Sequence, residues 1–396
     1  MRTMVVIPTF WTKAKGQVKD TLFNQYDHPT PLDDEGTLPR VLESLRRAKG
    51  NFDVQVIGTV DDPVYEPALE EKLAQLTRPF GDIDVSVFGP TQLRTLKGRL
   101  EQLEFESFAQ GLSLEGYGMV RNIGLLLAVA YESEAVLFVD DDEVVDDIEY
   151  VLKAEEFLGQ ELEGRTILGK TGFYRRPDGT TVAPEGGPWW DFFWRKDRAI
   201  NQVLKRTQQG ARIQPTTMAL GGATALHADL FTKVCYDPWI LRGEDSDFVI
   251  NARMHGFEMV SDNAMWVFND PKPKSKPGME LRQDIYRFVY EHRKLEYARS
   301  QVDLKQVKAH EMEPFPGEFL GGGIGPKSVL TASLGVLAHL GQLSDWMPAA
   351  QAAFGGAGAF ARQNCHRYFD LAKLWPAVAE RLWDDLSLQT ALASRG

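Results

Sequence analysis

The chain has 396 residues, of which 44 are Lys or Arg and 56 are Asp or Glu, so its formal net charge is −12. Hydrophobic residues make up 43% and charged residues 25%, which is typical of a globular protein and excludes wholesale disorder. A general nucleic-acid binder needs a basic face to displace counterions from phosphates. We therefore expect no nucleic-acid partner.

The two cysteines, Cys235 and Cys365, cannot form a disulfide framework or a multi-cysteine zinc site, which indicates a reducing compartment. The apolar part of the N-terminus is too short for a signal peptide. The weakly charged stretch 328–344 contains His339 and Gln342, which favours a buried helix over a membrane span. We expect a cytoplasmic protein without a transmembrane segment.

The first part of the chain alternates between predicted strands and predicted helices. Apolar runs predict strands over 4–8, 53–60, 83–88 and 135–139, and helical spacing predicts helices over 37–49, 66–77 and 119–131. This alternation predicts an α/β fold with a mainly parallel sheet, which binds ligands at the carboxyl ends of its strands. Three of the four strands end in notable residues, namely Pro8-Thr9-Phe10, Asp61-Asp62 and Asp140-Asp141-Asp142.

The remaining segments are less regular. A polar insertion at 12–36, which includes Lys13, Lys15 and Lys19, is expected to be disordered, a solvated loop or a lid over phosphates. The pattern over 165–270 is mixed, and 270–278 reads as a hinge. Helices are expected over 279–300, 327–343 and 367–393, which suggests a catalytic domain at 1–270 and a mainly helical region at 271–396. Those C-terminal helices could serve an acceptor site or a homo-oligomer interface.

The sharpest motif is the run of acidic residues that follows the strand at 135–139. Carboxylates at positions i and i+2 of a strand end, here Asp140 and Asp142, can both reach one hard cation such as Mg²⁺ or Mn²⁺. The alternative is a solvated acidic loop. In an aromatic cluster at 189–194, the rings could stack on sugar faces, although core packing is favoured for at least half of them.

Two further motifs have a structural and a functional interpretation. Glu244 and Asp245 are predicted at a helix N-terminus, where acids complement the helix dipole, but one of them could act as a general base. Arg121 is predicted in the first turn of a helix, where a cation is poorly placed for the dipole. It is either a surface arginine or a residue retained for an anionic ligand.

Taken in order, these motifs resemble those of GT-A glycosyltransferases of the family-2-like group. The matching segments are VVIPTF at 5–10, VDD at 60–62, VRNIG at 120–124, LFVDDD at 137–142, GG at 221–222 and GEDSDFVINARMHGF at 243–257. The resemblance covers about residues 1–270 and implies the GT-A fold, a mixed and mainly parallel sheet flanked by helices. Six motifs in the family's order are much more specific than any one of them.

The resemblance also implies roles for individual residues. Pro8, Thr9 and Phe10 would line the nucleotide base, one of Asp61 and Asp62 would accept a hydrogen bond from it, and Arg121 would lie near the base and phosphates. Asp140 and Asp142 match the D-x-D metal motif, and Asp141 lies between them in the donor site. Gly221 and Gly222 would let backbone approach the donor or acceptor, and Asp245 matches the general base, with Glu244 as its neighbour.

A third metal ligand is the main departure from the family's pattern. Several members add a late histidine, whereas this chain offers Asn269 or Asp270 at that place. The residue after Phe10 is Trp11, where asparagine is common, and the insertion at 12–36 is longer than the usual first loop.

The sequence as a whole predicts a metal-dependent glycosyltransferase. It would use Mg²⁺ or Mn²⁺ and move a sugar from a nucleotide diphosphate, UDP or GDP, to a small or soluble hydroxyl acceptor. One alternative is a HAD-like phosphatase, because DDDEVV at 140–145 also fits that family's D-x-D-x-V-V, with Asp140 as nucleophile and Asp142 as general acid. The other is a non-catalytic sugar-nucleotide-binding protein of the same fold.

Overall fold

A ten-stranded sheet forms the centre of the protein in a computed structural model that describes residues 1–13, 29–184, 186–269 and 276–393. Its strands are β1 (Thr3–Thr12), β2 (Thr30–Pro31), β3 (Phe52–Val60), β4 (Val85–Phe88), β5 (Ala135–Phe138), β6 (Glu143–Val144), β9 (Gly169–Arg175), β10 (Ile213–Pro215), β11 (Thr224–His227) and β12 (Val260–Asn269). Strands β7 (Glu161–Leu162) and β8 (Arg165–Thr166) form a separate hairpin.

The sheet runs in the order β10-β12-β9-β11-β5-β1-β3-β4. Strands β4, β3, β1 and β5 are mutually parallel, β11 is antiparallel to both of its neighbours, and β12 pairs in parallel with β9. The short β2 pairs in parallel with the end of β1, and β6 pairs with the end of β12. This arrangement confirms the predicted α/β class with a mainly parallel sheet.

Helices cover the sheet and build the C-terminal region. They are α1 (Leu38–Arg46), α2 (Glu66–Thr77), α3 (Pro90–Gln102), α4 (Glu106–Gly111), α5 (Tyr117–Ala130), α6 (Tyr150–Glu155), α7 (Lys196–Gln209), α8 (Ala228–Phe231), α9 (Glu244–Met254), α10 (Pro277–Ala298), α11 (Gly317–Leu320), α12 (Ile324–Ala338), α13 (Leu343–Gln351), α14 (Ala357–Asn364), α15 (Arg367–Leu382) and α16 (Leu386–Ala393). The predicted C-terminal region is therefore helical, as expected.

Some boundaries differ from the sequence predictions. Strand β1 continues through Pro8 to Thr12, because its ladder with β5 ends at Val6 while its ladder with β3 extends to Trp11. On the side of β1 that faces β5, no ladder hydrogen bond is needed at Pro8, which has no N–H group to donate. The helix predicted over 327–343 ends at Ala338, and only one of its faces is buried. Among the described residues, no helix is both long and apolar enough to cross a membrane.

Two cores form on opposite faces of the sheet because successive side chains of a strand alternate in direction. On β1, Val6 packs into one core, whereas Val5 and Ile7 pack into the other. The first core also contains nine hydrophobic residues of α5 and reaches into the C-terminal helices, where Trp375 is fully buried. The central strands are thus held from both faces, and their carboxyl ends are fixed in position.

Helix α10 joins the C-terminal region to the sheet through buried charges. The Lys294 ammonium lies 3.1 Å from Asp237 Oδ2 and also donates to Asp247 Oδ1 in the first turn of α9. All three side chains are fully buried. Asn251 Oδ1, on the next turn of α9, accepts a third hydrogen bond from Lys294 at 3.0 Å.

We expect Lys294→Ala to destabilise the fold by about 3–5 kcal/mol, because it leaves two buried carboxylates without their cation. The free energy of unfolding in urea, measured at pH 7, tests this. Arg293→Ala is the matched control, because Arg293 is half exposed and pairs only with Glu296 at the surface, which should cost less than about 1 kcal/mol. Equal losses in the two variants would contradict the role of Lys294.

Candidate functional site

The carboxyl ends of β1, β3 and β5 gather most of the predicted site residues at one edge of the sheet. Phe10 lies near the end of β1, Asp61 directly after β3, and Asp140 two residues after β5, and the three strands are parallel. Each side chain is held in place by a neighbouring element. The structure therefore brings together the D-x-D segment and the residues expected around a nucleotide.

Arg121 is the centre of this group and joins four elements. It is only 4% exposed, and its Nη2 donates to Asp140 Oδ1 at 3.1 Å. Its Nε donates to Glu244 Oε1 at 2.8 Å, and its Nη1 donates to the carbonyl of Gly221 at 3.2 Å. The alternative of a surface arginine is therefore wrong. Helix α5 begins at Tyr117 rather than 119, so Arg121 lies beyond the first turn, where the unfavourable dipole is weaker.

The two glycines after Leu220 are required by this packing. A Cβ atom at Gly221 would lie 2.2 Å from Arg121 Nη2, and one at Gly222 would lie 2.1 Å from Glu143 Oε2. The amide of Gly222 donates to the Tyr174 hydroxyl at 2.9 Å. A contact of either glycine with donor or acceptor stays a prediction, but their lack of a side chain already has an internal reason.

Asp245 lies at the first turn of α9, as the sequence predicted. Its Oδ2 accepts a hydrogen bond from the Gly221 amide at 3.1 Å, and its Oδ1 accepts one from the Ser246 amide at 2.6 Å. The helix begins after Gly243, whose φ of 74° is left-handed and whose missing Cβ leaves room for Arg287 of α10. The D-x-D segment and the Glu244-Asp245 pair thus meet through Arg121 and Gly221.

Burial and mutual repulsion perturb the acids of this site. Burial raises the pKa of Asp140, although Arg121 opposes the shift, and Asp142 raises it further. Burial also raises the pKa of Glu143 well above its usual range, with Asp140 and Asp142 adding to the effect. Although burial alone would lower the pKa of Arg121, Asp140 and Glu244 raise it. Arg121 therefore stays positively charged, and the acidic side chains around it outnumber this one cation.

Burial likewise raises the pKa of Asp245, with Glu244 raising it further and Arg287 lowering it. The shift has a chemical consequence, since a carboxylate with a raised pKa is a stronger base than a solvated one. Arg287 is itself buried, and its Nη2 has no hydrogen-bond partner among the described residues. Sequence reasoning missed Arg287, although Arg287, Glu291 and Lys294 fall at helical spacing on one stripe of α10.

The residues expected around the base are also in place. The Phe10 ring meets Tyr117 edge to face, with centroids 5.0 Å apart. The Thr9 hydroxyl donates to Asp141 Oδ2 at 2.5 Å, which ties β1 to the D-x-D segment. Asp61 is buried and accepts from the Thr12 hydroxyl at 2.8 Å.

Pro8 and Asp62 complete the predicted set. Pro8 is buried within β1. Asp62 is more exposed than Asp61, and its Oδ1 caps the short helical turn at 63–65 by accepting from the Val64 amide. The roles of these two residues toward a nucleotide stay predictions.

The acids after β5 offer a divalent cation a pair of oxygen ligands. Mg²⁺ and Mn²⁺ accept one or two carboxylates when substrate phosphates and water complete the shell, so Asp140 and Asp142 fit such an ion. Within the part of the chain that the structure describes, Glu143 Oε1 is buried without a hydrogen-bond partner, and a nearby cation would relieve the repulsion between Glu143 and the neighbouring acids. Among the described residues, no group of three or more His, Cys, Asp or Glu side chains is arranged to hold a metal.

The expected third ligand has a position near this pair. Asn269 ends β12 and pairs with Glu143 of β6 in the antiparallel ladder, so the end of β12 lies beside the D-x-D segment. Asp270 lies outside the described residues. Lys15, Lys19 and most of the insertion at 12–36 also lie outside them, whereas the Lys13 ammonium lies 5.4 Å from the centroid of the Tyr65 ring.

The aromatic cluster at 189–194 is only partly core. Trp194 is 4% exposed, and Trp190 packs edge to face against the buried Trp346. The other three rings, Trp189, Phe192 and Phe193, are exposed. The expectation that core packing accounts for at least half of these rings is therefore wrong, because the segment lies over the start of α7 at the surface.

No known family profile and no curated protein matches the chain. Among solved structures, the chain is similar to the mannosyltransferase PcManGT from Pyrobaculum calidifontis in complex with GDP-Man and Mn²⁺, at 13% identity over 96% of this chain and 87% of that one, with a TM-score of 0.49. It is also similar to glucosyl-3-phosphoglycerate synthase from Mycobacterium tuberculosis in complex with Mn²⁺, UDP and phosphoglyceric acid, at 17% identity over 72% and 77%, with a TM-score of 0.40. For TarS from S. aureus the identity is 14% over 89% and 55%, with a TM-score of 0.36. Likenesses this distant assign no substrate, so the site itself has to carry the functional argument.

We expect Gly222→Ala to destabilise the protein by about 1–3 kcal/mol, because the added methyl group overpacks the space held by Glu143. Urea unfolding measures the loss. Gly98→Ala is the matched control, because a Cβ at Gly98 in α3 meets nothing within 4 Å, and it should be neutral or stabilising by about 0.5–1 kcal/mol. An unchanged stability of Gly222→Ala would contradict the packing role of this glycine.

Proposed function

We propose that this protein is a metal-dependent glycosyltransferase that moves a sugar from a nucleotide diphosphate to a hydroxyl acceptor. One observation carries the proposal: the buried Arg121 holds Asp140 of the D-x-D segment, which is partly exposed, and Glu244, the neighbour of Asp245, in one cluster at the carboxyl edge of the sheet. Such a transfer needs a protein group that binds the phosphates of the donor close to a protein group that accepts the proton of the acceptor hydroxyl. The donor is a UDP- or GDP-sugar, and the acceptor is small or soluble.

In this proposal, each residue of the site has a separate task. Asp140 and Asp142 would hold Mg²⁺ or Mn²⁺, and the bound cation would supply positive charge opposite a diphosphate. Thr9 fixes Asp141 and thereby the loop that presents both acids. Phe10 offers a ring to the base, and Asp61 or Asp62 accepts a hydrogen bond from it. Arg121 keeps the D-x-D segment and Glu244 at a fixed separation, so little reorganisation is needed when substrates bind.

Asp245 takes the proton of the acceptor hydroxyl if the transfer inverts the sugar's anomeric configuration. Its carboxylate is oriented by the Gly221 and Ser246 amides, and its raised pKa makes it a better base. If the configuration is retained, Asp245 orients a substrate instead. The fold accommodates both outcomes.

The first test is nucleotide binding with and without metal. We expect UDP or GDP to raise the Tm in the presence of Mn²⁺ or Mg²⁺, and the shift to vanish with EDTA, because ligands that bind only the folded state stabilise it. The shift should also vanish in Asp142→Asn. Asp303→Asn, an exposed acid remote in sequence, is the charge-matched control and should behave as the wild type.

Three outcomes of this experiment and of the matching activity assays count against the proposal. Equal nucleotide binding without divalent metal and in Asp142→Asn would exclude the metal site. Release of inorganic phosphate from simple sugar phosphates without any nucleotide would favour the HAD-like phosphatase. Nucleotide binding without transfer to any acceptor would favour a non-catalytic binding protein.

The second test concerns the base. We expect Asp245→Asn to lower kcat by about 10²–10⁴-fold while leaving nucleotide binding intact, because only proton removal is lost. The wild-type rate should fall as pH drops through the raised pKa of Asp245, since the protonated acid cannot accept a proton. Product configuration is read by NMR. A retained configuration, or an acid limb of the pH profile that persists unchanged in Asp245→Asn, would rule out the base role.

A further inference from the structure

A cavity of about 250 Å³ lies between the start of α7 and helices α11 and α12, outside the reaction centre described above. Its walls include Phe192, Phe193, Trp194, Arg195, Arg198 and Lys327. None of the roles proposed for the donor or the base uses these residues. The cavity combines exposed rings with cations, which is an unusual surface on a chain of net charge −12.

The three cations of the cavity lack close acidic partners. Within the described part of the chain, none of Arg195, Arg198 and Lys327 forms an ion pair, and one acid, Glu318, lines the cavity with them. Aromatic faces contact two of the cations instead. The Lys327 ammonium lies 3.9 Å from the Phe319 ring centroid, and the Arg195 guanidinium lies 4.7 Å from that of Phe192. Burial lowers the pKa of Lys327, and Glu318 and Asp191 oppose this shift.

The rings give the cavity an apolar wall. Phe192 is 58% exposed and Phe193 45% exposed, although large aromatic side chains are usually buried. Trp194 also lines the cavity and is 4% exposed. Exposed aromatic faces of this kind suit stacking against the C–H face of a sugar.

A short path of contacts connects the cavity to the reaction centre. The Trp194 and Phe288 ring centroids are 5.8 Å apart. Arg287, the neighbour of Phe288 on α10, occupies the space that a Cβ of Gly243 would need, directly before α9. A second link is the ion pair between Lys196 at the start of α7 and Asp284 of α10. Helix α10 thus contacts both the wall of the cavity and the start of the helix that presents Asp245.

From this arrangement we infer that the cavity binds a saccharide that carries a carboxylate or phosphate group, as the acceptor or as its distal part. The cations Arg195, Arg198 and Lys327 pair with the anion, and Phe192, Phe193 and Trp194 contact the sugar. The binding itself is independent of the proposed function. The role as acceptor subsite rests on that function.

Binding is tested by calorimetry on the full chain in EDTA and without nucleotide, so that donor binding plays no part. The probes are glucose 6-phosphate and glucuronate, compared with glucose and with inorganic phosphate. We expect one or both acidic sugars to bind at least about tenfold more tightly than glucose or phosphate, because only they use both walls. Arg198→Gln and Lys327→Gln should each weaken that binding by about tenfold or more.

Two further variants make the binding test specific. Phe193→Ala should weaken the acidic sugars but leave the binding of inorganic phosphate unchanged. Lys373→Gln, at an exposed lysine of α15, is the charge-matched control and should bind as the wild type. Absence of binding by both acidic sugars, binding no tighter than that of phosphate, or wild-type affinity in Arg198→Gln and Lys327→Gln would overturn the site.

The acceptor role is tested separately by steady-state transfer with acidic and neutral acceptors. Arg198→Gln should raise KM for an acidic acceptor while leaving KM for the nucleotide sugar unchanged. An unchanged KM for the acidic acceptor would overturn the acceptor role. If nucleotides bind equally well without divalent metal and in Asp142→Asn, the proposed function fails on its own, and the calorimetric result for the cavity stands.

Discussion

The site depends on one buried cation that is shared by two acids from distant parts of the chain. Arg121 pairs with Asp140 and Glu244, which are 19 and 123 residues away in sequence. Glu244 is buried and needs this cation to remain charged, because an unpaired buried carboxylate is costly, whereas Asp140 is only partly buried. Gly221 lacks a side chain because the guanidinium occupies that space. The end of β5, the turn at Gly221 and the start of α9 therefore fix one another's positions.

In the C-terminal region, buried cations on α10 are likewise paired with buried acids. Lys294 balances Asp237 and Asp247, and Arg287 pairs with Glu291 at 3.1 Å while facing the turn at Gly243. Opposite charges alternate from α5 to α9 to α10, and each is buried only because the next is present. The helix that presents Asp245 is held from two sides, by the sheet through Arg121 and by α10 through Lys294.

Sequence patterns predicted the parallel half of the sheet well, because apolar runs there are buried on both faces and end in polar residues. The helix at 66–77 was placed to the residue. The other half of the sheet, with β9, β11 and β12, was not predicted. Its strands contain charged residues such as Lys170 and Asp262, which pair with one another inside the sheet at 2.8 Å. In the sequence alone, the charged residues of such a buried ion pair resemble those of a solvent-exposed segment.

The same limit applies to the site. The order of motifs located the D-x-D segment, the glycine pair and Asp245, but it gave no indication that Arg121 is an internal counterion. That property arises only when residues 121, 140 and 244 meet in space. The contributions of Tyr174 and Arg287 also come from tertiary contacts. Glu143 stands next to the motif in sequence, and its fully buried, partly unsatisfied carboxylate could not be anticipated from an acidic run.

The interlocked charges also determine where this scaffold can change. A substitution at Arg121, Lys294 or Asp247 alters the balance of several buried groups at once, so a new activity reached through them would need simultaneous compensating changes. The cations around the cavity at α7 and α12 have no such partners within the described residues. Single substitutions at Arg198 or Lys327 therefore leave the internal charge balance intact. Directed evolution toward new acceptors should accordingly begin at α7 and α12, and libraries placed there should retain a larger folded fraction than libraries on α9 or α10.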